Sequence, residues 1–385
     1  MTPFNFNTVP QIVFGDGVIG QVGDIVAARL GKRVLLVTDP GLREVGLIEP
    51  ALQSLKASGV EVSVFCDVAA DPPVAVVTAA IEAARAFEAE AVMGLGGGSS
   101  MDVAKLAALL ASGTEQLAEI YGIGNAKGPR VPLLLAPTTA GTGSEVTPIS
   151  IVTTGASEKK GVVTPLILPD VALLDPELTL GLPPAVTAAT GIDAMVHAIE
   201  AFTSASPGNN PLSRALAREA LRLMGAALER AVHDGADRAA RRDMMLGAML
   251  AGQAFANSPV AAVHALAYPI GGHFHIPHGL SNALMLPHVL RFNAETDGGA
   301  YTEIAPDAFP ELEEVGSQAR AAVFADKLAA LSARCNLQQR LRDVGIPEDA
   351  VPMLAHDAMN QTRLLVNNPR PVTEADALAI YRQAW

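Results

Sequence analysis

The sequence predicts an α/β domain, with a Rossmann-like, doubly wound and mostly parallel sheet, followed by an all-helical domain. Three observations carry this expectation. Short β-branched runs alternate with helix-period segments through the first half, as strand–helix–strand units do. Strand patterns stop after Val171–Leu174. From Leu182-Pro183-Pro184 to Trp385 nearly every segment has a helical period. The boundary is therefore placed between residues 1–182 and residues 183–385.

The elements follow in order. Lys32–Thr38 (KRVLLVT) is a buried strand that ends at Asp39-Pro40-Gly41, a turn. Leu47–Ser58 is helical and closed by Gly59, and Val60–Phe65 is the next strand. Pro73–Phe87 is a helix with proline at its start. Ala91–Leu95 is a strand running into Gly96-Gly97-Gly98-Ser99-Ser100, after which Met101–Ala111 is helical. Pro132–Ala136 is a strand followed by a second small-residue loop, Thr138–Ser144. Pro183-Pro184 suits the N-terminus of the first helix of the second domain. There is no internal repeat and no low-complexity linker, so the domains are expected to meet across a cleft.

Composition narrows the function. Half of the 385 residues are apolar and only 17% are charged, which excludes a disordered chain. No stretch approaches the ~18 consecutive apolar residues of a membrane span. Met1–Pro10 has neither basic charge nor an apolar run, so no secretory signal is expected there. Lys and Arg total 27 against 40 Asp and Glu, a net charge of −13 that disfavours a nucleic-acid partner. The two cysteines, Cys66 and Cys335, make neither a disulfide framework nor a thiolate zinc cluster, so a reducing cytoplasm is expected.

Gly96-Gly97-Gly98-Ser99 lies between a strand and a helix. Glycines there let the backbone approach a pyrophosphate, and the helix N-terminus offers unpaired N–H groups. A tight turn would use the same glycines for their positive φ. The second cluster, Thr138-Thr139-Ala140-Gly141-Thr142-Gly143-Ser144, also follows a strand and adds hydroxyls suited to phosphate or ribose. Two such turns at one sheet edge point to a nucleotide site. The GxGxxG fingerprint is missing after the first strand. Asp39, at the end of that strand, suits a ribose diol and would repel a 2′-phosphate, favouring NAD over NADP; alternatively it supports its turn.

Asp193 and His197 are four residues apart within Gly191–Phe202 and share a helical face. Five of the eight histidines (His264, His273, His275, His278 and His288) fall close together in apolar surroundings. A lone histidine on such a face is usually a hydrogen-bonded core residue. An Asp-x₃-His pair together with a histidine cluster favours a metal. The donors are oxygen and nitrogen without sulfur, which suits Fe²⁺ and leaves Zn²⁺ open.

Over essentially its whole length the chain resembles the iron-containing (group III) alcohol dehydrogenases of the dehydroquinate synthase-like superfamily. The resemblance rests on IVFGDG near the start, GGGSSMD at Gly96–Asp102, APTTAGTGSEVT at Ala136–Thr147 and LPDVALLDPELT at Leu168–Thr179. It continues through LPPAVTAATGIDAMVHAIEAF at Leu182–Phe202 and VHALAYPIGGHFHIPHGLSNALMLPHV at Val263–Val289. It implies the dehydroquinate synthase-like fold, NAD(P) and a divalent metal. Carried over by motif, the metal ligands are Asp193, His197, His264 and His278. The cofactor positions are Asp39, Gly97, Gly98, Ser99, Thr138, Thr139 and Thr142, with Asp102 and Lys160 as further ones, although Glu158-Lys159-Lys160 aligns either way. The implied reaction interconverts a small alcohol and its aldehyde or ketone by hydride transfer in a cytoplasmic homodimer. Zinc polyol dehydrogenase, maleylacetate reductase and hydroxyacid–oxoacid transhydrogenase are the alternatives within the superfamily, and a maleylacetate reductase should lack the full Asp/His set.

Two positions depart from the pattern. Tyr268 stands where many members have a second histidine, and it lacks a near-neutral pKa for a proton relay. Asp71 replaces an asparagine often seen at the cofactor and would repel a pyrophosphate unless it turns away. His264, His275 and Tyr268 are the candidate catalytic residues, His275 as the imidazole that Tyr268 does not supply.

Overall fold

The structure, a computed structural model, describes residues 3–155 and 158–385, the side chain of residue 297 excepted. Its strands are β1 (Gln11–Phe14), β2 (Arg33–Val37), β3 (Glu61–Phe65), β4 (Ala91–Gly96), β5 (Gly122–Ile123), β6 (Leu133–Pro137), β7 (Ile149–Thr154), β8 (Glu158–Val163) and β9 (Val171–Leu174). The helices of the first half are α1 (Val22–Arg29), α2 (Pro40–Glu44), α3 (Glu49–Ala57), α4 (Val74–Ala86) and α5 (Gly98–Ala111). The second half holds α6 (Pro184–Thr203), α7 (Pro211–His233), α8 (Arg238–Asn257), α9 (Ala262–Phe274), α10 (His278–Asp297), α11 (Gly299–Ala308), α12 (Ser317–Arg334), α13 (Val351–Ala358), α14 (Thr362–Leu365) and α15 (Glu374–Ala384). No described helix is long and apolar enough to cross a membrane.

One compact unit comprises Asn7–Thr139 and Gly143–Leu180. Its main sheet has the order β1-β9-β6-β4-β2-β3, with every pair parallel. Both faces are covered, and alternate side chains feed two cores. Leu35, Val37, Val92, Leu133 and Leu135 enter one. Val34, Leu36, Met93, Leu95, Leu134 and Ala136 enter the other. Burial on both faces is why these strands read as continuous apolar runs. The chain winds from β2 to β3, then crosses back over β2 to β4 and continues to β6. The winding thus reverses between β2 and β4, whose carboxyl ends form the switch point where α/β sheets bind ligands.

The structure adds elements that the sequence pattern did not suggest. β1 joins the sheet edge beside β9. A second sheet, β5-β8-β7, pairs β7 and β8 antiparallel. β8 reads Glu-Lys-Lys-Gly-Val-Val, and its polar start hides a strand whose pairing supplies what propensity lacks. The expected turn at Asp39 is the start of α2, with Asp39 as its N-cap. α5 begins at Gly98, three residues before the expected Met101.

The other compact unit holds Gly181–Trp385, residues 3–6, and Ala140–Thr142. At its centre α6 is buried continuously from Gly191 to Thr203 and packs against α7, α8 and α10. A helix buried all round is a core helix, so its charged residues need partners inside the protein. Gly141 lies directly on α6: a Cβ there would stand 2.6 Å from Thr190 Cβ and 3.0 Å from Thr190 O. Only glycine permits that approach.

Candidate functional site

The two glycine-rich turns leave adjacent parallel strands in register, with Gly96 opposite Pro137. Thr138 N–H donates to Gly96 O at 3.0 Å, which ties the turns together. Gly96 has φ +158°, and a Cβ on it would clash with Ser100 at 2.6 Å. Gly97 is the N-cap of α5 without a side-chain cap, so the first N–H groups of that helix are open to an anion. Gly97, Gly98, Ser99 and Thr139 are partly exposed around this point, whereas Thr138 is buried. Thr142 belongs to the helical unit.

Asp39 lies at the carboxyl end of β2, across the switch point from Gly97. Its Oδ1 accepts from Leu42 N–H at 3.0 Å. It therefore caps α2 through that oxygen. Asp102 differs from expectation because both its oxygens are engaged by protein: Ser144 hydroxyl donates to Oδ1 at 2.7 Å and Ile151 N–H to Oδ2 at 2.9 Å. Lys105, fully buried one turn later, donates to Ser144 Oγ (2.8 Å), Thr147 Oγ1 (3.2 Å) and Ile149 O (2.7 Å). Burial lowers its pKa to about 8, against the pull of Asp102 and Glu145. These bonds bolt α5 to the segment that follows the second glycine-rich turn. Lys160 is half-exposed on β8, 3.4 Å from Glu158 and 5.9 Å from the Tyr121 ring centroid. Its neighbour Lys159 pairs with Asp71 and neutralises the charge that the sequence made suspect.

In the helical unit, Asp193, His264 and His278 present ligand atoms that all lie within 4.8 Å of one another. Asp193 Oδ1 is 3.8 Å from His264 Nε2 and 3.8 Å from His278 Nε2. α6 carries Asp193, α9 carries His264 in its first turn, and His278 opens α10 after Pro277. His197 stands beside them but outside that set. Its ring stacks on His264 (centroids 4.8 Å) and on Phe255 (4.4 Å), and burial pushes its pKa down to about 3. Burial works to raise the Asp193 carboxyl, but His197, His278, His264 and Asn282 outweigh it and hold its pKa below the ordinary carboxylate value.

The donors fit a divalent cation. His264 Nε2 and His197 Nδ1 are buried without a hydrogen-bond partner. Leaving such an atom unpaired costs about 1–3 kcal/mol. An ion beside the Asp193 carboxylate would satisfy His264 Nε2, and a mixed oxygen and nitrogen set without sulfur is chemically apt.

Two expected participants are not brought into this cluster. His275 is exposed at the C-cap of α9, in the left-handed region at φ 55°. His273 pairs with Asp357 at 2.6 Å. Tyr268 does approach, with its ring centroid 5.8 Å from that of His278. Burial raises its phenol pKa, against a hydrogen bond from Arg363, so it stays protonated near neutral pH.

Sequence reasoning missed Glu200 and Asn282. Glu200 is buried; its Oε2 accepts from His264 Nδ1–H at 2.6 Å and its Oε1 from Val263 N–H at 2.7 Å. Asn282, also buried, donates to Asp193 Oδ1 at 2.5 Å. The signal for Glu200 was its place seven residues after Asp193, on one stripe of an otherwise apolar helix.

With this geometry in place, comparison with known proteins is decisive. The family model "Iron-containing alcohol dehydrogenase" matches residues 10–176, and "Fe-containing alcohol dehydrogenase family, C-terminal" matches residues 187–385. The chain belongs to the iron-containing alcohol dehydrogenase family. Long-chain-alcohol dehydrogenase 1 of Geobacillus thermodenitrificans is 41% identical, over 98% of this chain and 97% of its own. A solved 1,3-propanediol oxidoreductase superimposes with a TM-score of 0.95 at 34% identity, covering 100% of both chains. Sulfoacetaldehyde reductase from Bifidobacterium kashiwanohense, solved in complex with NAD⁺, gives 0.88 at 30% identity over 100% of this chain and 99% of its own. Membership of the family accounts for the dehydroquinate synthase-like fold and places the chain among alcohol and aldehyde oxidoreductases.

Proposed function

We propose that this family member is an NAD-dependent oxidoreductase that interconverts a small alcohol and its aldehyde, with a divalent ion, Fe²⁺ first, held by Asp193, His264, His278 and His197. The carrying observation is the convergence of Asp193, His264 and His278 within 4.8 Å, with a buried and unpartnered His264 Nε2 among them. Relatives named for long-chain alcohols, 1,3-propanediol and sulfoacetaldehyde support the reaction class. NAD is supported by the open start of α5, the Asp39 carboxylate across the switch point and the NAD⁺-bound relative.

When bound, the ion supplies Lewis acidity to a hydroxyl in one direction and to a carbonyl in the other. The chain's own residues do the rest. Asp193 contributes the negative charge, and the imidazoles contribute neutral nitrogen donors. Phe255 stacked on His197 and the buried face of α6 keep water from the inner side of the cluster. Tyr268, protonated, serves as a hydrogen-bond donor beside His278 rather than as a base. Gly97, Gly98, Ser99, Thr138, Thr139 and Thr142 bind the dinucleotide phosphates and ribose, whereas Asp102 holds the loop that carries Ser144.

In this proposal residues 1–182 are the dinucleotide-binding domain and residues 183–385 the metal and substrate domain. The enzyme is a cytoplasmic homodimer; its free cysteines, Cys66 and Cys335, suit a reducing compartment. The test is a panel of primary alcohols assayed with NAD⁺ and with NADP⁺. NADH formation with a clear preference for NAD⁺ is expected. Absence of turnover across the panel in protein loaded with Fe²⁺ or Zn²⁺ would overturn the reading.

A further inference from the structure

We propose that Glu200 is a positioning residue that locks His264 in the tautomer presenting its Nε2 lone pair, and thereby sets the affinity of the cluster for a divalent ion. The proposal rests on the metal reading above and names a residue that touches neither substrate nor the ion.

Glu200 sits on α6, on the same stripe as Asp193 and His197. Both its oxygens are committed. Val263 N–H is the second amide of α9, one of the N-terminal donors that the helix itself leaves without an acceptor, and it donates to Oε1 at 2.7 Å. That donor is backbone and cannot change its role. The other oxygen faces His264 Nδ1 at 2.6 Å. A carboxylate only accepts, so Nδ1 carries the proton and Nε2 keeps its lone pair. The remaining nitrogen is buried, has no hydrogen-bond partner and points at Asp193 Oδ1 from 3.8 Å. That distance is too long for a hydrogen bond. It lies within ~4.2 Å, the greatest separation of two atoms on one ion with bonds of ~2.1 Å.

A glutamine at this position has one accepting oxygen for two donors. Val263 N–H would take it, leaving the NH₂ to face His264 Nδ1. Nδ1 must then accept, so the proton moves to Nε2, where it points at Asp193 and blocks the lone pair. In the metal-free protein that Nε2–H faces Asp193 Oδ1 across 3.8 Å, and a side-chain shift of roughly 0.8 Å would bring the pair to hydrogen-bond distance. Loss of metal affinity is therefore uncoupled from loss of stability. A residue that merely capped α9 would keep its bond from Val263 N–H as glutamine and leave the folded protein's metal affinity intact.

The experiment uses the full chain, stripped of metal, as wild type and as Glu200→Gln. Zn²⁺ affinity is measured by competition with a chromophoric chelator, folding by circular dichroism and thermal unfolding. The His264 tautomer is read by ¹⁵N NMR of histidine-labelled protein, with the resonance assigned by its absence in His264→Ala. Expected are a wild type protonated at Nδ1, and a Glu200→Gln protein with unchanged Tm, the other tautomer and ~10–100-fold weaker Zn²⁺ binding. Equal Zn²⁺ affinity in a folded Glu200→Gln protein, or an Nε2-protonated wild type, overturns the proposal. If Glu200→Gln does not fold, the wild-type tautomer alone decides. A wild type that binds no Zn²⁺ and no Fe²⁺ instead removes the metal reading, an outcome separate from the tautomer result.

Discussion

His264 Nε2 and Asp193 Oδ1 face each other across 3.8 Å in the interior of the helical unit, and no hydrogen bond joins them. Two polar atoms so placed leave a gap that is costly when empty and favourable for a cation. His264→Ala removes one side of it. Metal affinity is expected to fall by more than the ~10–100-fold that loss of an outer partner costs. Turnover should drop to background while NAD⁺ binding stays unchanged. Metal content and nucleotide titration check this, and near-normal turnover would remove His264 from the site.

The buried Lys105 network makes a prediction about stability alone. Lys105→Met strands the Asp102 carboxylate and leaves Ser144, Thr147 and Ile149 O without their donor. Breaking one side of a buried charge pair costs about 3–5 kcal/mol. Denaturant unfolding should show a loss of that order with Zn²⁺ affinity preserved. A loss below ~1 kcal/mol would place these bonds among ordinary surface contacts.

Glu145 should give the stability curve a slope. Burial raises its carboxyl to about 7 from an ordinary 4.5, against the pull of Lys105. Between those values the folded state binds more protons than the unfolded one, so this contribution is full below pH 4.5 and is lost as pH rises through 7. Glu145→Gln removes it. Relative to wild type, the variant should gain on the order of 3 kcal/mol of stability between pH 4.5 and 7. Unfolding free energies measured across that window decide, and parallel curves would contradict the shift.

How much of this was legible in the chain depends on where each residue's partner lies. Asp193 and His197 could be read together because the helix places them one turn apart. Glu200 sits on that same stripe, yet its role appears only when α9 delivers Val263 N–H and His264 Nδ1 from more than sixty positions away. Asp102 is named only through the family motif; its protein partners, Ser144 and Ile151, come from a later turn and strand that the local sequence does not point to. His275 shows the opposite case: near His278 in sequence, it is an exposed, left-handed C-cap residue that does not join the converging ligand set. The main sheet was readable because burial on both faces leaves unbroken apolar runs. The β7–β8 ribbon was not, because half of β8 is polar and only pairing makes it a strand.

The most direct measurement strips the purified enzyme of metal with a chelator, then follows NAD⁺-linked alcohol oxidation as Fe²⁺ or Zn²⁺ is returned. Activity should vanish on chelation and return in step with ion bound, to one per chain, and Asp193→Asn should show neither binding nor recovery. Full turnover by protein proven free of metal would contradict the account at its centre.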